Sequence, residues 1–160
     1  MSKEAPDSSV PPPRDDAAMV FQLFNEVGII SQLSSAMFNK RLPQGLHVSH
    51  FSVLNHMVRL GDGQTPVQLA GAFQVTKATM THTLTVLSKG GFVRLEPNPA
   101  DARSKLVFIT DAGTELRNQS IAALAEPTRE LIKLLNVEEL REAVPVLERL
   151  RRTLDENREL

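Results

Sequence analysis

The sequence of 160 residues contains no cysteine, tryptophan or tyrosine. Without cysteine, the chain cannot form a disulfide, a thiolate metal site, a cysteine nucleophile or a thiol redox switch. No apolar run approaches the roughly 18 residues that a membrane-spanning helix needs, and residues 1–14 lack the apolar core of a signal peptide. The sequence therefore predicts a cytoplasmic protein with no membrane association, of a length that suits one ordinary domain.

Motifs of common active sites are also missing. The chain has no Gly-rich phosphate loop, no G-x-S-x-G string and no H-E-x-x-H string. His47, His50 and His56 cluster around the predicted second helix, and the first two are spaced to share a metal ion, but the sequence shows no third ligand nearby. We therefore expect neither an enzyme nor a metal site nor a bound cofactor.

Charge is nearly balanced overall, with a net of -1, but it is unevenly distributed. Residues 1–60 carry five bases and five acids, residues 61–110 five and three, and residues 111–160 eight and eleven. The middle bases share a span of 29 residues with only two acids, Glu96 and Asp101. These bases are Lys77, Lys89, Arg94, Arg103 and Lys105. Such a patch is typical of a solvated face or of a nucleic-acid-binding surface, and its local structure must decide between them.

The first third of the chain predicts a tail followed by a long helix. Residues 1–13 include three consecutive prolines and little apolar content, which is typical of a disordered tail. From residue 14 until Pro43 and Gly45, apolar residues recur at steps of three and four. They are Val20, Leu23, Val27, Ile30 and Met37, with Phe24 and Phe38 beside them. A helix of nearly thirty residues exceeds the face that one small domain covers, so residues 14–45 predict packing against a second copy of the chain.

Residues 46–110 predict a compact helical unit that ends in a β-hairpin. A second helix with Phe51, Leu54, Met57, Val58 and Leu60 on its inner face ends at the turn from Gly61 to Gly63. Thr65 before Pro66 predicts the start of a short third helix, and Thr76 predicts the start of a fourth. Residues 92–96 and 105–109 predict two strands joined by a proline-rich turn. The unit is thus a helix-turn-helix followed by a hairpin, or wing.

Residues 111–160 predict two long helices. The first begins at Thr110 or Asp111 and runs to Leu135 with a bend at Pro127, and the second begins at the capping pair Asn136 and Glu139. Pro145 predicts a kink or a break in the last helix. The fold class is therefore mainly α, an α+β winged helix-turn-helix with long terminal dimerisation helices, in the order α-α-α-α-β-β-α-α.

The fourth helix and the wing together carry the predicted function. A helix-turn-helix places its second helix in a major groove about 12 Å wide. With Met80, Leu84 and Leu87 inside, the outward residues of the fourth helix are small, hydrogen-bonding or cationic. The predicted DNA-binding residues are Lys77, Thr79, Thr81, His82, Thr85 and Lys89 on the helix, with Arg94, Arg103 and Lys105 on the wing. Arg103 suits a narrow minor groove, and Asp101 is expected to orient its guanidinium.

The wing string DARSKLVFITDAG and its spacing from TMTHTLTVLSKGGFV resemble the MarR family of winged helix-turn-helix transcriptional regulators. The resemblance covers about residues 15–157 and is most specific at Asp101, Arg103, Thr110 and Gly113. It implies a homodimer formed by the terminal helices, which reads a pseudo-palindrome in double-stranded DNA and represses transcription until a ligand binds. Many relatives have arginine at the positions of His82, Leu95 and Ala102, so this chain is expected to bind DNA more weakly and with less salt sensitivity.

The resemblance also implies a small aromatic or phenolic effector in a cleft beside the dimer helices. Candidate lining residues are Phe24, Met37, Phe38, Met57 and Arg59. At helical spacing, Phe and Met residues such as these are more often plain core than the lining of a ligand site. Because a fold does not dictate its function, a winged-helix module that binds a protein partner instead of DNA is the alternative.

Overall fold

The computed structural model describes residues 15–159, so the tail predicted for residues 1–13 lies outside the described part. The chain divides after Lys40 into two units. The helices are α1 (Asp16–Asn39), α2 (Val48–Leu60), α3 (Pro66–Ala72), α4 (Lys77–Lys89), α5 (Asp111–Ala122), α6 (Ala125–Leu134) and α7 (Val137–Glu156), and the strands are β1 (Val93–Pro97) and β2 (Lys105–Ile109). No helix in this part of the chain is both long and apolar enough to cross a membrane.

Helix α1 makes up most of the described part of the first unit. Its N-terminus is capped by the carboxylate of Asp15, which accepts a hydrogen bond from the backbone N–H of Ala18 at 3.0 Å. The helix ends at Asn39 after 24 residues, so the expected length of nearly thirty residues was wrong. Pro43 restricts the residue before it to extended conformations, and the chain therefore leaves the helix several residues earlier.

The second unit is built around an apolar core that joins α2, α3, α4, the hairpin and α5. Its largest fully buried side chains are Leu54, Leu69, Leu87, Val53 and Val107. Helix α2 was expected to bury Val58 and Leu60, but both side chains are exposed. The buried residues of α2 are instead His50, Val53, Leu54 and Met57, because the helix enters the core with its N-terminal part.

The two short helices form as their caps predict. The hydroxyl of Thr65 accepts from the backbone N–H of Gln68 at 3.2 Å, and the Gln68 side-chain oxygen accepts from the Thr65 N–H at 2.8 Å, which completes a capping box around Pro66. Thr76 caps α4 through its hydroxyl alone, which accepts from the backbone N–H of Thr79 at 3.1 Å. Between them, Gln74 adopts a φ of 53°, the left-handed conformation that reverses the chain in the helix-turn-helix.

The wing is an antiparallel hairpin in which Val93 pairs with Ile109 and Pro97 with Lys105. Strand β1 thus begins at Val93, one residue later than expected, and includes Pro97. A short segment after α2 extends the ladder: Gly63 N–H donates to the Val107 carbonyl at 2.8 Å, and Val107 N–H donates to the Gln64 carbonyl at 2.9 Å. These bonds fix the root of the wing to the end of α2.

The C-terminal helices differ from their expected form in two places. The predicted single helix over residues 111–135 is two helices, α5 and α6, which separate at Ala123 and Leu124. Pro127 therefore causes no bend within a helix but lies in the first turn of α6, where a backbone N–H would have no helical partner in any case. The described residues thus contain one helix more than the expected order.

Of the two outcomes predicted at Pro145, a kink or a break, the break does not occur, because helix α7 continues through this residue. The proline removes one hydrogen bond, but this part of α7 is exposed, and the unpaired carbonyl is open to solvent. At the helix start, the Asn136 side-chain oxygen accepts from Glu138 N–H at 3.1 Å, while its amide donates to the Glu139 carboxylate at 3.1 Å. The expected pair is therefore present, with a different pattern of bonds.

Candidate nucleic-acid interface

Helix α4 presents one apolar face to the core and one polar face to solvent. As predicted, Met80, Leu84 and Leu87 are buried. Thr83 is also buried, which the sequence pattern did not indicate. Its hydroxyl donates to the Thr79 carbonyl at 3.1 Å, and this local bond lets a polar residue occupy the core side of the helix.

The six residues predicted to face DNA from α4 are all exposed. They are Lys77, Thr79, Thr81, His82, Thr85 and Lys89. Two of the threonine hydroxyls are engaged within the helix: that of Thr85 donates to the Thr81 carbonyl at 2.8 Å, and that of Thr79 lies 2.9 Å from the Thr76 hydroxyl. Their methyl groups and remaining lone pairs stay available on the surface. The face thus offers both apolar and hydrogen-bonding contacts.

The wing tip is ordered by a small network that sequence reasoning missed. Asn98 Nδ2 donates to the Ser104 hydroxyl oxygen at 2.8 Å, and the Ser104 hydroxyl donates to the Asp101 carbonyl at 3.1 Å. The Asn98 side-chain oxygen accepts from Ala100 N–H at 3.0 Å, which is an Asx turn across Pro99. Asn followed by Pro was the available signal, since this dipeptide favours turn initiation.

Arg103 projects from this ordered tip, and its side chain is 94% exposed. The Asp101 carboxylate accepts from the Arg103 backbone N–H at 3.0 Å and lies 3.5 Å from Arg103 Nε. The shorter hydrogen bond fixes the backbone of the wing tip. The longer contact only weakly restricts the orientation of the guanidinium. Asp101 therefore contacts both the backbone and the guanidinium of Arg103, and its hydrogen bond to the backbone is the shorter of the two.

Arg94 is bound within the wing itself. Its Nε donates to the Glu96 carboxylate at 2.7 Å, and its guanidinium carbon lies 4.9 Å from the centre of the Phe108 ring. These partners neutralise the charge of Arg94 and hold its side chain. Lys105, by contrast, is exposed at the start of β2. Arg94 is itself 54% exposed, but it has closer side-chain partners than Lys77 or Arg103.

An open groove of about 440 Å³ runs between α4 and β1. Its lining consists of Pro66, Thr81, Leu84, Thr85, Ser88, Lys89 and Leu95. The outward face of the helix and the wing are therefore neighbours across this groove. A helix and a wing in this arrangement suit adjacent grooves of a duplex.

The histidines around α2 occupy different environments. His50 is buried, its ring stacks on His47 with centroids 5.9 Å apart, and its Nε2 has no hydrogen-bond partner in the described part of the chain. Burial, and then the electrostatic effect of neighbouring His47, lower the pKa of His50. His56 instead bonds Gln64 Oε1 through Nε2 at 3.0 Å. Within residues 15–159, no three metal-ligating side chains are grouped to hold an ion.

The candidate effector-lining residues are distributed over both units. Phe24, Met37 and Phe38 lie on α1, where Phe24 is exposed and Phe38 is buried. Met57 belongs to the core of the second unit, and Arg59 is exposed in the last turn of α2. Arg59 is thus accessible to an anion, whereas the Met57 side chain is enclosed by core residues.

Helices α2, α3 and α4 together with the β1–β2 hairpin form a winged helix-turn-helix. A profile described as the MarR family matches residues 44–104, the span from the start of α2 to the wing tip. MarR of E. coli, solved as a cysteine-to-serine mutant in complex with operator DNA, is 26% identical over 82% of this chain and 95% of that one, with a TM-score of 0.67. The transcriptional regulator BldR of Sulfolobus solfataricus is 29% identical over 82% of this chain and 96% of that one, with a TM-score of 0.67.

Wild-type MarR of E. coli in its apo form agrees equally well, with 27% identity over 80% of this chain and 96% of that one and a TM-score of 0.69. The similarity thus extends beyond the wing and covers most of each chain. The profile match and these structures show that the chain is similar to MarR-family regulators in sequence and in fold. The resemblance inferred from the wing string is confirmed.

Proposed function

We propose that this protein is a transcriptional regulator that binds double-stranded DNA with α4 in a major groove and the wing in the adjacent minor groove. The observation that carries the proposal is that the polar face of α4 and the wing lie on either side of one groove. The polar face of α4 begins at the exposed cation of Lys77, and the ordered wing tip extends the exposed guanidinium of Arg103. The similar MarR of E. coli was solved in complex with operator DNA, which supports DNA as the partner of this chain.

The regulator acts as a homodimer on a pseudo-palindromic operator. Helix α1 exposes large apolar side chains along its length, among them Phe21, Ile30 and Leu33, and α7 exposes Leu140, Val144 and Leu147. Monomeric proteins rarely leave so much contiguous apolar surface to water. A second copy of the chain supplies the same apolar faces, so a symmetric interface buries both.

DNA binding represses transcription until a small aromatic or phenolic effector releases the protein. The family resemblance is the main support for this part of the proposal. Within the chain, Arg59 supports it, because its exposed guanidinium makes no ion pair with any described residue and is available to a carboxylate. Substitution Arg59→Ala is expected to weaken release by an aromatic acid while leaving DNA binding in place.

The test is selection of duplexes from a random pool by the full-length protein, followed by sizing of the complex. We expect a symmetric winning sequence with half-sites about 34 Å apart, bound by two copies of the chain. Aromatic acids are then screened for release of that sequence. A monomer that enriches no duplex at low ionic strength would overturn the proposal.

A protein-interaction module is the other candidate, since winged helices also serve in protein recognition. The two candidates differ in their electrostatics. A DNA-binding surface loses affinity steeply as salt rises, because each phosphate contact releases counterions. Binding that is independent of salt and unaffected by loss of the wing cation would favour the interaction module.

A further inference from the structure

A hydrogen bond connects the end of the C-terminal helix to the helix-turn-helix. Arg158, just beyond α7, donates from Nη1 to the backbone carbonyl of Gly71 in the last turn of α3 at 3.1 Å. The two residues are 87 positions apart in the chain. This contact belongs neither to the apolar core nor to the polar face of α4.

The carboxylate of Asp155 orients the guanidinium of Arg158. Arg158 Nε donates to the Asp155 carboxylate at 2.9 Å, and Nη2 bonds the same oxygen. The Asn157 side chain closes the end of α7 by donating to the Thr153 carbonyl at 2.7 Å. The last turn of α7 therefore holds Arg158 as a directed donor, in contrast to a freely rotating surface cation.

The acceptor, the Gly71 carbonyl, lies at the turn that connects α3 to α4. The Gly71 carbonyl also accepts hydrogen bonds from the backbone N–H and the side-chain amide of Gln74, each at 3.2 Å. Gln74 is the residue with the left-handed conformation that turns the chain from α3 toward α4. Helix α3 has no basic residue in its own last turn, so Arg158 supplies the cation that the helix dipole favours there.

We propose that Arg158 is a positioning residue that holds the turn between α3 and α4 at one orientation relative to α7. The Arg158 and Asp155 side chains are 40% and 54% exposed, so their pairing adds little to the stability of the fold. The hydrogen bond from Arg158 to Gly71 instead restricts the orientation of the turn relative to α7. Because α7 carries part of the proposed dimer surface, the orientation of the turn determines how far apart two copies present their α4 helices.

The first experiment measures this orientation directly and requires neither DNA nor a dimer. The chain has no cysteine, so Ala78→Cys on α4 and Glu148→Cys on α7 give two unique spin-label sites, both exposed. Labelled chains are diluted with excess unlabelled protein, so that electron-electron resonance reports the distance within one chain. We expect one narrow distance distribution, which Arg158→Ala broadens or shifts.

The matched control is Arg152→Ala, which removes an exposed arginine of α7 that has no ion pair with another described residue. It should leave the distribution unchanged. Asp155→Asn keeps Arg158 but weakens its orientation, and it should give a distribution between those of the parent and Arg158→Ala. An Arg158→Ala distribution identical to that of the parent would overturn the inference, whatever the protein binds.

The second experiment rests on the proposed function and measures half-site spacing. Inserting one base pair between the half-sites of the selected duplex is expected to weaken parent binding by roughly tenfold, which is comparable to the loss for a mismatched base pair. Arg158→Ala should tolerate the insertion with a smaller loss, whereas Arg152→Ala should behave as the parent. Unchanged discrimination in Arg158→Ala contradicts the positioning role. Failure of the parent to bind any duplex contradicts the proposed function instead, and the distance measurement still decides the inference.

Discussion

His50 Nδ1 accepts a hydrogen bond from the backbone N–H of His47 at 2.9 Å, so a histidine performs at the start of α2 the role that glutamate or glutamine has in a capping box. Only an unprotonated Nδ1 has the lone pair that this bond requires. His50 is buried and close to His47 and to His82 on α4. Burial is the main cause that lowers its pKa, and the charges of these two histidines add to it.

Stability is therefore expected to fall on acidification. Because the pKa of His50 in the folded state lies below its ordinary value of 6.5, the folded protein binds fewer protons than the unfolded chain. The stabilising contribution is complete above pH 6.5 and is lost as the pH falls through the lowered pKa. Urea unfolding between pH 8 and pH 5 should show this decrease in the free energy of unfolding.

Replacement His50→Gln separates this histidine from other titrating groups. Glutamine at the same position accepts the His47 N–H through its side-chain oxygen but does not titrate, so the decrease should become shallower. His56→Gln keeps the cap and should retain the contribution of His50 to the slope. If the slope is the same in the parent and His50→Gln, the cap plays no part in the pH dependence.

Local signals explain why the helix-turn-helix and wing were predicted well. Thr65 and Thr76 mark helix starts through bonds to residues three positions ahead, so the sequence contains both partners of each cap. The residues that prediction missed depend on partners far along the chain. Ile109 N–H, for example, donates at 3.1 Å to the carboxylate of Asp62, 47 residues away. The spacing of apolar residues along the sequence does not indicate such a long-range hydrogen bond.

The same distinction explains the errors in the C-terminal helices. The rule that proline interrupts helices predicts the same effect for Pro127 and Pro145. In the structure, Pro127 lies in the first turn of α6 and Pro145 lies inside α7. The effect of a proline depends on where the preceding helix ends and on whether the carbonyl that loses its hydrogen bond is exposed to solvent. Both depend on packing. The burial of His50 and Thr83 was missed for the same reason, because polar residues on a core face become acceptable only through their bonds.

Substitution Gly113→Ala is expected to destabilise the fold. A Cβ at this position would lie 2.1 Å from the Phe92 carbonyl oxygen and 2.9 Å from Ile109 Cγ1. The Phe92 carbonyl already accepts a bond from Thr110 N–H at 3.1 Å, so the start of α5 cannot move away without breaking it. Thermal or urea unfolding should show a loss of at least about 2 kcal/mol, as for an overpacked core.

The control for this variant is Gly71→Ala, since a Cβ at that helical position meets nothing within 4 Å. Alanine is favoured over glycine within helices, so its effect should be neutral or stabilising by up to about 1 kcal/mol. Equal stability of the two variants would show that α5 approaches the wing less closely than the structure describes.

The two wing arginines are expected to contribute unequally to DNA binding. Arg103→Ala removes an exposed cation from the tip and should weaken binding of the selected duplex by about 1–3 kcal/mol, mostly at one base step. Arg94→Ala removes a cation already paired with Glu96 and stacked on Phe108, so it should weaken binding less. Fluorescence anisotropy at fixed salt compares the two directly. A larger effect of Arg94→Ala would mean that its pairing opens when DNA binds.

Lys77 is expected to contact a phosphate at the start of α4. It is the first residue of the helix, it is exposed, and it makes no ion pair with another described residue. Each phosphate contact contributes about 0.9 to the slope of log affinity against log salt concentration. Lys77→Ala should therefore lower this slope by about 0.9 and weaken binding to all duplexes alike. Lys133→Ala, which removes an exposed cation paired with Glu130 on α6, should leave the slope unchanged. An unchanged slope in Lys77→Ala would exclude Lys77 from the phosphate contacts even if the protein binds DNA tightly.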